Sequence, residues 1–241
     1  MVIWGVRSLV VVGVLAACGR VGFSPATGAD GPANQIRTPP RFVQTDSTGA
    51  GSAAVATRAL PANVAAGNMI LVAIDVVPGA GITVVVTDDK GQTYTVLGPF
   101  DGNDSVRHFI AYTLAQMSGP TTVTSTLSSA PATYHDLRLH EYANTAMTDP
   151  VEATASATGI TQVMDGVRSG VVTTTEPNEL IFGFATYAGQ GVPGTGFTLR
   201  SNFDFDLTED RVAVTPGPYE ALSTLTNGST WTIDAVTIRG R

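Results

Sequence analysis

Four polar side chains alternate along one predicted strand and form a candidate ligand-binding surface. They are Tyr134, Asp136, Arg138 and His140. Residues two apart point to the same face of a strand, so these four share a face opposite Leu137 and Leu139. Hydrogen-bonding groups at alternate positions suit a sugar ligand, which makes Asp136, Arg138 and His140 candidate binding residues. The alternative is a solvated face with cross-strand charge pairs.

A glycine-rich segment with aromatic neighbours is the second candidate region. Residues 188–196 read AGQGVPGTG, and the aromatic residues nearest to them are Tyr187, Phe203 and Phe205. A phosphate-binding loop is not expected, because neither GxxxxGK[ST] nor a GxGxxG leading into a helix is present. Aromatic rings beside a loop can serve as a binding platform. We therefore predict Tyr187, Phe203 and Phe205 as binding residues, with a plain strand connection as the alternative.

Glycan hydrolysis needs two carboxyl groups across a cleft. Glu141 falls on the face of Leu137 and Leu139. It therefore lies either near water at the strand end or buried with a partner such as Arg200 or Arg211. Glu209 and Asp210 could serve as the second carboxylate by residue type alone. No GxSxG motif is present, and no spacing defines a catalytic set, so the prediction is a protein that is not an enzyme.

The spacing of the three histidines does not favour a metal site. His135 and His140 are five residues apart in an apparent strand and point to opposite faces, so only His108 on a neighbouring strand could join either of them. No metal site and no cofactor are predicted, although calcium is left open through Asp101, Asp104 or Asp206.

Short apolar or alternating segments separated by turn signals predict the elements that position these residues. Residues 69–77, MILVAIDVV, predict a strand covered on both faces. Residues 82–87 and 92–97 flank the turn sequence DDKG and predict a hairpin. A change of parity between Trp231 and Val236 predicts a β-bulge near Ala235. Together these segments predict an all-β fold, a two-sheet antiparallel β-sandwich of jelly-roll type, in a single domain over 39–241.

Charge and composition limit the classes of binding partner that we expect. The formal net charge is −7, and it becomes −8 without Arg7; the cations are twelve arginines and one lysine, scattered singly. No basic cluster is present, so nucleic acid is not an expected partner. We see no internal repeat in the sequence.

The first residues have the parts of a secretory signal peptide. A charged start with Arg7 is followed by an apolar stretch over 9–15 and by Ala16 and Ala17. The stretch is shorter than the roughly 20 residues that span a bilayer. Residues 1–17 are therefore predicted to be a signal peptide, and the turn-rich residues 18–38 a flexible spacer.

Residues 15–18, LAAC, resemble the lipobox of bacterial lipoproteins, and Cys18 is the single cysteine of the chain. The resemblance implies lipidation of Cys18, including palmitate, and attachment to a membrane through several acyl chains. Gly19 stands where an aspartate tends to retain lipoproteins at the inner membrane. Its presence favours the outer membrane of the cell envelope.

The rest of the chain resembles a secreted bacterial β-sandwich domain of unassigned activity. The resembling segments are AGN at 66–68, TDDKGQTY at 87–94, HEY at 140–142, GTGFTLR at 194–200, ED at 209–210, GPY at 217–219 and Trp231. The likeness brings no catalytic residue, and Ala143-Asn144 departs from the expected Ser-Gly. We expect a non-catalytic recognition module for glycan or protein at the cell envelope. The alternatives are a structural envelope component and a glycan hydrolase or lyase.

Overall fold

The computed structural model describes residues 37–241 except 79, 132 and 162–165. The described residues form strands and one 3-10 turn, Asn103–Ser105, so the all-β prediction is confirmed. The predicted signal peptide, Cys18 and all but the last two residues of the predicted spacer lie outside the described residues. Within the described residues, no helix is long and apolar enough to cross a membrane.

The strands fall into two sets along the chain. The first set is β1 Arg41–Gly49, β2 Val55–Ala59, β3 Met69–Val77, β4 Val84–Asp88, β5 Thr95–Asp101, β6 Arg107–Leu114, β7 Thr122–Leu127 and β8 Tyr134–Ala143. The second set is β9 Val151–Thr161, β10 Gly166–Arg168, β11 Val172–Thr174, β12 Glu179–Tyr187, β13 Gly191–Pro193, β14 Thr198–Phe203, β15 Asp206–Ala213, β16 Gly217–Tyr219, β17 Leu222–Leu225 and β18 Ser229–Ile238.

The two sets build sheets with the same strand order. The first set forms a five-stranded sheet, β1-β8-β3-β6-β5, and a three-stranded sheet, β2-β7-β4. The second set forms β9-β18-β12-β15-β14 and β10-β17-β13, with β11-β16 as an additional pair. Position by position, β1 to β8 thus correspond to β9, β10, β12, β13, β14, β15, β17 and β18. The fold contains an internal duplication that the sequence analysis missed.

Three hydrophobic clusters hold the sheets together. Alternate residues of β3 enter two of them: Ile70, Val72 and Ile74 pack with the β2-β7-β4 sheet, whereas Met69 and Leu71 pack against the other five-stranded sheet. A third cluster joins the outer face of β12 and β18 to β10, β11, β16 and β17. The two five-stranded sheets therefore face each other, and each is covered on its outer side. The prediction that β3 is buried on both faces is confirmed.

One prediction of local structure is wrong. β4 and β5 do not form a hairpin, because β4 pairs with β7 and β5 pairs with β6 in a different sheet. A turn is present, and the Asp88 carboxylate accepts hydrogen bonds from the amides of Lys90 and Gln92 at 3.0 and 3.1 Å. The chain uses that turn to cross between sheets. The bulge predicted near Ala235 is present, with its register shift between Val236 and Ile238. The change of parity near Ala235 reflects burial of β18 on both faces.

Candidate functional site

The predicted polar strip lies between the two five-stranded sheets and not on a solvent-facing surface. Asp136, Arg138 and His140 are 3%, 0% and 0% exposed. Sequence parity grouped them correctly on one face, but parity does not show that a second sheet covers that face.

Arg138 links the two sheets. Its guanidinium donates to the carboxylate of Asp75 on β3 and, at 3.0 Å, to that of Asp206 on β15. It also donates to the carbonyl of Phe203 at 3.1 Å, and its Cζ lies 5.7 Å from the centre of the Phe203 ring. Phe203 therefore packs beside Arg138, so these two predicted residues form one buried contact.

A second buried pair links the same two sheets at equivalent strands. His108 Nδ1 on β6 lies 2.6 Å from Asp234 Oδ2 on β18, and its Nε2 lies 3.0 Å from Thr186 Oγ1 on β12. Since β6 corresponds to β15 and β8 to β18, the His108–Asp234 pair is the counterpart of Asp206–Arg138 with the acidic and basic residue types exchanged. A self-complementary interface produces such reciprocal contacts. The two halves thus make reciprocal contacts through corresponding strands.

Burial lowers the pKa of the other two histidines, His140 and His135. Neither ring nitrogen of His140 has a hydrogen-bond partner among the described residues. Burial, with the charges of Arg138 and Arg200, lowers the pKa of His140 to about 3, so the ring is neutral. His135 Nε2 lies 2.9 Å from Ser125 Oγ, and burial lowers its pKa as well.

The described residues contain no group of three or more His, Cys, Asp or Glu side chains that could hold a metal ion. Of the carboxylates considered for calcium, Asp101 accepts two hydrogen bonds from Arg107 at 2.6 and 3.0 Å. Asp206 accepts from Arg138. The side-chain position of Asp104 lies outside the described part of the chain.

The candidate catalytic carboxylates are held by buried hydrogen bonds. Glu141 is fully buried and accepts from Gln44 Nε2 at 2.5 Å, Asn68 Nδ2 at 2.6 Å and the Ala65 amide at 3.0 Å. Its expected arginine partner is therefore wrong, because neutral donors complete the site. Arg200 instead donates to Asp210, at 2.7 and 2.8 Å.

Glu209 is equally enclosed. Its carboxyl group accepts from the amides of Gly194 and Leu222 at 3.0 and 3.2 Å. Burial raises its pKa to about 8, and the two amide hydrogen bonds oppose that shift. The glycine-rich segment thus supplies an amide donor to a buried carboxyl group.

Three adjoining cavities at one end of the fold form what we call the distal groove. The first, about 260 Å³, and the third, about 410 Å³, share Tyr134, Tyr187 and Ala188. The second, about 470 Å³, shares Gln190, Asp204 and Phe205 with the third. Tyr187 and Phe205 were predicted from sequence, whereas Tyr134 was placed on the polar strip only. Phe203 does not line the groove.

Trp231 lines the first cavity and was not predicted as a binding residue. Its ring packs on Gly159 of the neighbouring strand, where an added Cβ would lie 2.5 Å from Trp231 Cζ2. The indole Nε1 has no hydrogen-bond partner among the described residues. A glycine opposite a tryptophan in paired strands was the signal available in the sequence, but it required knowledge of the register.

Phe205 has an unusual backbone at the rim of the groove. Asp204 and Phe205 form the two-residue connection between β14 and β15, with φ of +52° and +70°. Positive φ at both positions is the geometry of a tight hairpin turn that favours Asn-Gly. A bulky residue there costs about 1–2 kcal/mol, yet the Phe205 side chain is 54% exposed. Such strain at an exposed aromatic residue is typical of functional positions.

The groove lies at the far end of the sheets from the point where the chain enters. The backbone of Thr38 pairs with that of Arg241, just beyond the end of β18. β12 begins at that end and runs nine residues to Tyr187 in the groove, which is about 30 Å at 3.3 Å per residue. Thr38 and the groove therefore lie at opposite ends of β12.

No family model, curated protein or solved structure matches the chain.

Proposed function

We propose that the chain is a lipid-anchored, extracytoplasmic recognition module of the cell envelope that binds a glycan or protein ligand without transforming it. The observation that carries the proposal is the distal groove. Its aromatic side chains, Tyr134, Tyr187, Phe205 and Trp231, stand beside amide and hydroxyl groups. Concave sites that combine apolar rings with a few polar groups are the usual form of binding sites.

The proposed architecture is two jelly-roll-like β-sandwiches joined face to face within the region 39–241. In a jelly roll of eight strands, one sheet has the order 1-8-3-6, and the strands of each half follow that order. The fifth strand extends this sheet in both halves, beside β6 and beside β15. The repeated order supports one fold used twice.

The proposed anchor is the lipid on Cys18, with the outer membrane favoured by Gly19. From Cys18 to Thr38 the chain has twenty peptide steps, which span at most about 70 Å when extended. Because Thr38 and the groove lie at opposite ends of β12, attachment through the spacer would leave the groove uncovered. Cys18→Ser should abolish fatty-acid labelling and leave the precursor unprocessed; labelling that persists would contradict the proposed anchor.

The absence of catalysis is proposed because the candidate carboxylates serve buried contacts. Glu141 and Glu209 are 0% exposed, and their oxygens already accept hydrogen bonds from the protein. Neither residue lines the distal groove. A carboxylate that reacts with substrate must reach it within hydrogen-bond distance.

The test follows Trp231 fluorescence. Trp4 and Trp231 are the two tryptophans of the chain, so Trp4→Phe leaves Trp231 as the single reporter. This full-length protein in detergent would be titrated with peptidoglycan fragments, neutral and amino-sugar oligosaccharides and peptides, and the products would be examined for cleavage. A saturable fluorescence change without cleavage is expected. Cleavage of a ligand at a rate that saturates with its concentration would contradict the non-catalytic role. If no ligand changes the Trp231 fluorescence, a purely structural envelope protein is favoured.

A further inference from the structure

Phe205 and Asp204 divide the distal groove into two cavities with a shared wall. We propose that this part of the groove binds a basic polypeptide segment, with a lysine or arginine side chain seated among Tyr134, Tyr187 and Phe205 beside the Asp204 carboxylate. This inference rests on the proposed recognition function and names its ligand class.

Charge complementarity selects a cationic ligand. Asp204 and Asp206 line the third cavity, and none of the described residues that line the three cavities is Lys, Arg or His. Asp206 is already engaged with Arg138, whereas Asp204 is exposed to solvent. Ammonium and guanidinium groups are attracted to the faces of Tyr and Phe rings. A carboxylate beside three aromatic side chains therefore favours a cation over a neutral or anionic group.

The unpaired strand edges beside the groove favour a polypeptide as the ligand whose side chain bears that positive charge. The second cavity is lined by Gly191 and Val192 of β13 and by Asn202 of β14. Among the strands that the structure describes, β13 pairs with β17 alone and β14 with β15 alone, so both are edge strands of their sheets. Edge strands offer backbone donors and acceptors to an added extended peptide. A segment lying along these edges would place alternate side chains on either side of Phe205.

The strained turn provides a test that separates binding from folding. Phe205→Gly removes the ring and at the same time suits the left-handed backbone, so the melting temperature should stay the same or rise. Affinity for a basic peptide should nevertheless fall at least about tenfold, because the ring supplies one wall of both cavities. Phe205→Asn, which also tolerates positive φ, should behave in the same way.

The charge is tested separately. Asp204→Asn keeps a residue that tolerates the turn and should weaken binding about three- to tenfold, with less dependence on salt. Val214→Ala is the matched control, because Val214 is 67% exposed and lines none of the cavities. This variant should bind as the unmodified protein does.

The probe is a fluorescein-labelled peptide of alternating threonine and lysine, compared by anisotropy with the same peptide carrying acetyl-lysine and with a chito-oligosaccharide. The full-length protein in detergent should prefer the lysine peptide over its acetylated form by at least about tenfold. Equal binding of the two peptides, or unchanged affinity in Phe205→Gly, would overturn the inference. Binding of the oligosaccharide alone would also overturn it while leaving the recognition function intact. If none of the probes binds and no ligand changes the Trp231 fluorescence, both this inference and the proposed recognition function are wrong.

Discussion

Glu141 joins three segments of the first half of the fold. Its carboxylate accepts from Gln44 on β1, from Asn68 at the start of β3 and from the Ala65 amide in the preceding loop. Glu141→Ala would leave these donors without their acceptor, at a cost of about 3 kcal/mol. For a chain of this size the melting temperature should fall by about 6–12 °C.

The control for this prediction is Glu220→Ala. Glu220 forms a surface ion pair with Arg168 at 2.9 Å, and such pairs contribute about 0–1 kcal/mol. Thermal unfolding followed by circular dichroism should therefore distinguish the two variants clearly. Equal, small shifts for Glu141→Ala and Glu220→Ala would mean that the buried carboxylate adds little to stability.

At the same scale, sequence reasoning placed side chains on the correct faces but did not identify their partners. Alternation along β8 put Glu141 with Leu137 and Leu139, and of the two positions left open for it, near water or buried, the structure shows the buried one. The partners were wrong because Gln44 and Asn68 are distant in sequence and neutral. The predicted binding residues Asp136, Arg138 and His140 are buried by a second sheet, which a single strand pattern does not reveal.

The contact between Gly159 and Trp231 fixes the pairing of β9 with β18. A Cβ at Gly159 would lie 2.5 Å from Trp231 Cζ2 and 2.8 Å from Cε2, so Gly159→Ala must displace the indole. Overpacking of this kind costs about 1–3 kcal/mol. The variant should have a lower melting temperature and, in the Trp4→Phe background, a shifted emission maximum.

Ser156→Ala is the matched change on β9, because Ser156 is exposed and pairs with Asp234 through the backbone. It should leave the emission of Trp231 unchanged. Identical spectra for Gly159→Ala and the unmodified protein would show that the indole is free to move, and would weaken the case that Trp231 is preorganised in the groove.

At the level of elements, strand positions were more predictable than strand partners. Residues 69–77 form β3 as predicted. Nine nearly continuous apolar residues are typical of a strand that is covered on both faces. The DDKG turn was real, but a turn does not determine whether its flanking strands pair or enter separate sheets. The duplication was missed because the halves repeat strand order without a visible repeat in sequence. His108 and Arg138, for example, have acidic counterparts, Asp206 and Asp234.

Over the whole molecule, buried carboxyl groups predict a loss of stability above neutral pH. Burial raises the pKa of Asp136 to about 7, with the charge of Asp75 adding to the shift and Arg138 opposing it. Burial also raises the pKa of Glu179 to about 7 and of Glu209 to about 8. A carboxyl group with a raised folded-state pKa stabilises the fold fully below its unfolded-state pKa, and that contribution is lost as the pH rises through the folded-state value.

The buried histidines act in the opposite direction and over a different range. The fold lowers the pKa values of His140 and His135. Their neutral forms therefore stabilise the fold above about pH 6.5, and this contribution to the free energy of unfolding is lost only as the pH falls below that value. Above that pH these two histidines are neutral in both states, whereas Asp136, Glu179 and Glu209 still titrate. The free energy of unfolding should therefore decrease between about pH 6.5 and 8.5, as measured by urea denaturation.

Asp136→Asn should make that decrease smaller, because the amide remains neutral. The variant should be more stable than the unmodified protein at pH 8.5, and the difference should shrink toward pH 5. Asp89→Asn, at an exposed position in the turn after β4, is the control and should follow the unmodified protein. A stability that is constant from pH 6.5 to 8.5 would contradict the raised pKa values.

The duplicated halves should fold together and not separately. The face of β3 that carries Met69 and Leu71 packs against β12, and Arg138 and His108 find partners in the second half. A half on its own would expose this apolar face to water, and the lost burial costs about 25 cal/mol for each Å² of apolar surface left uncovered. Expressed alone, 37–147 and 148–241 should each be unfolded or aggregated.

Co-expressed, the two halves should associate into a soluble pair, because the cut between Met147 and Thr148 falls in an exposed connection and leaves the paired strands intact. Affinity purification through a tag on one half should recover the other. Arg138→Met in the first half should reduce that recovery, since Asp75 and Asp206 would face each other without their shared cation, while Glu220→Ala should not. If each half gives a cooperative unfolding transition alone and neither recovers the other, the facing sheets are a minor contact between independent units.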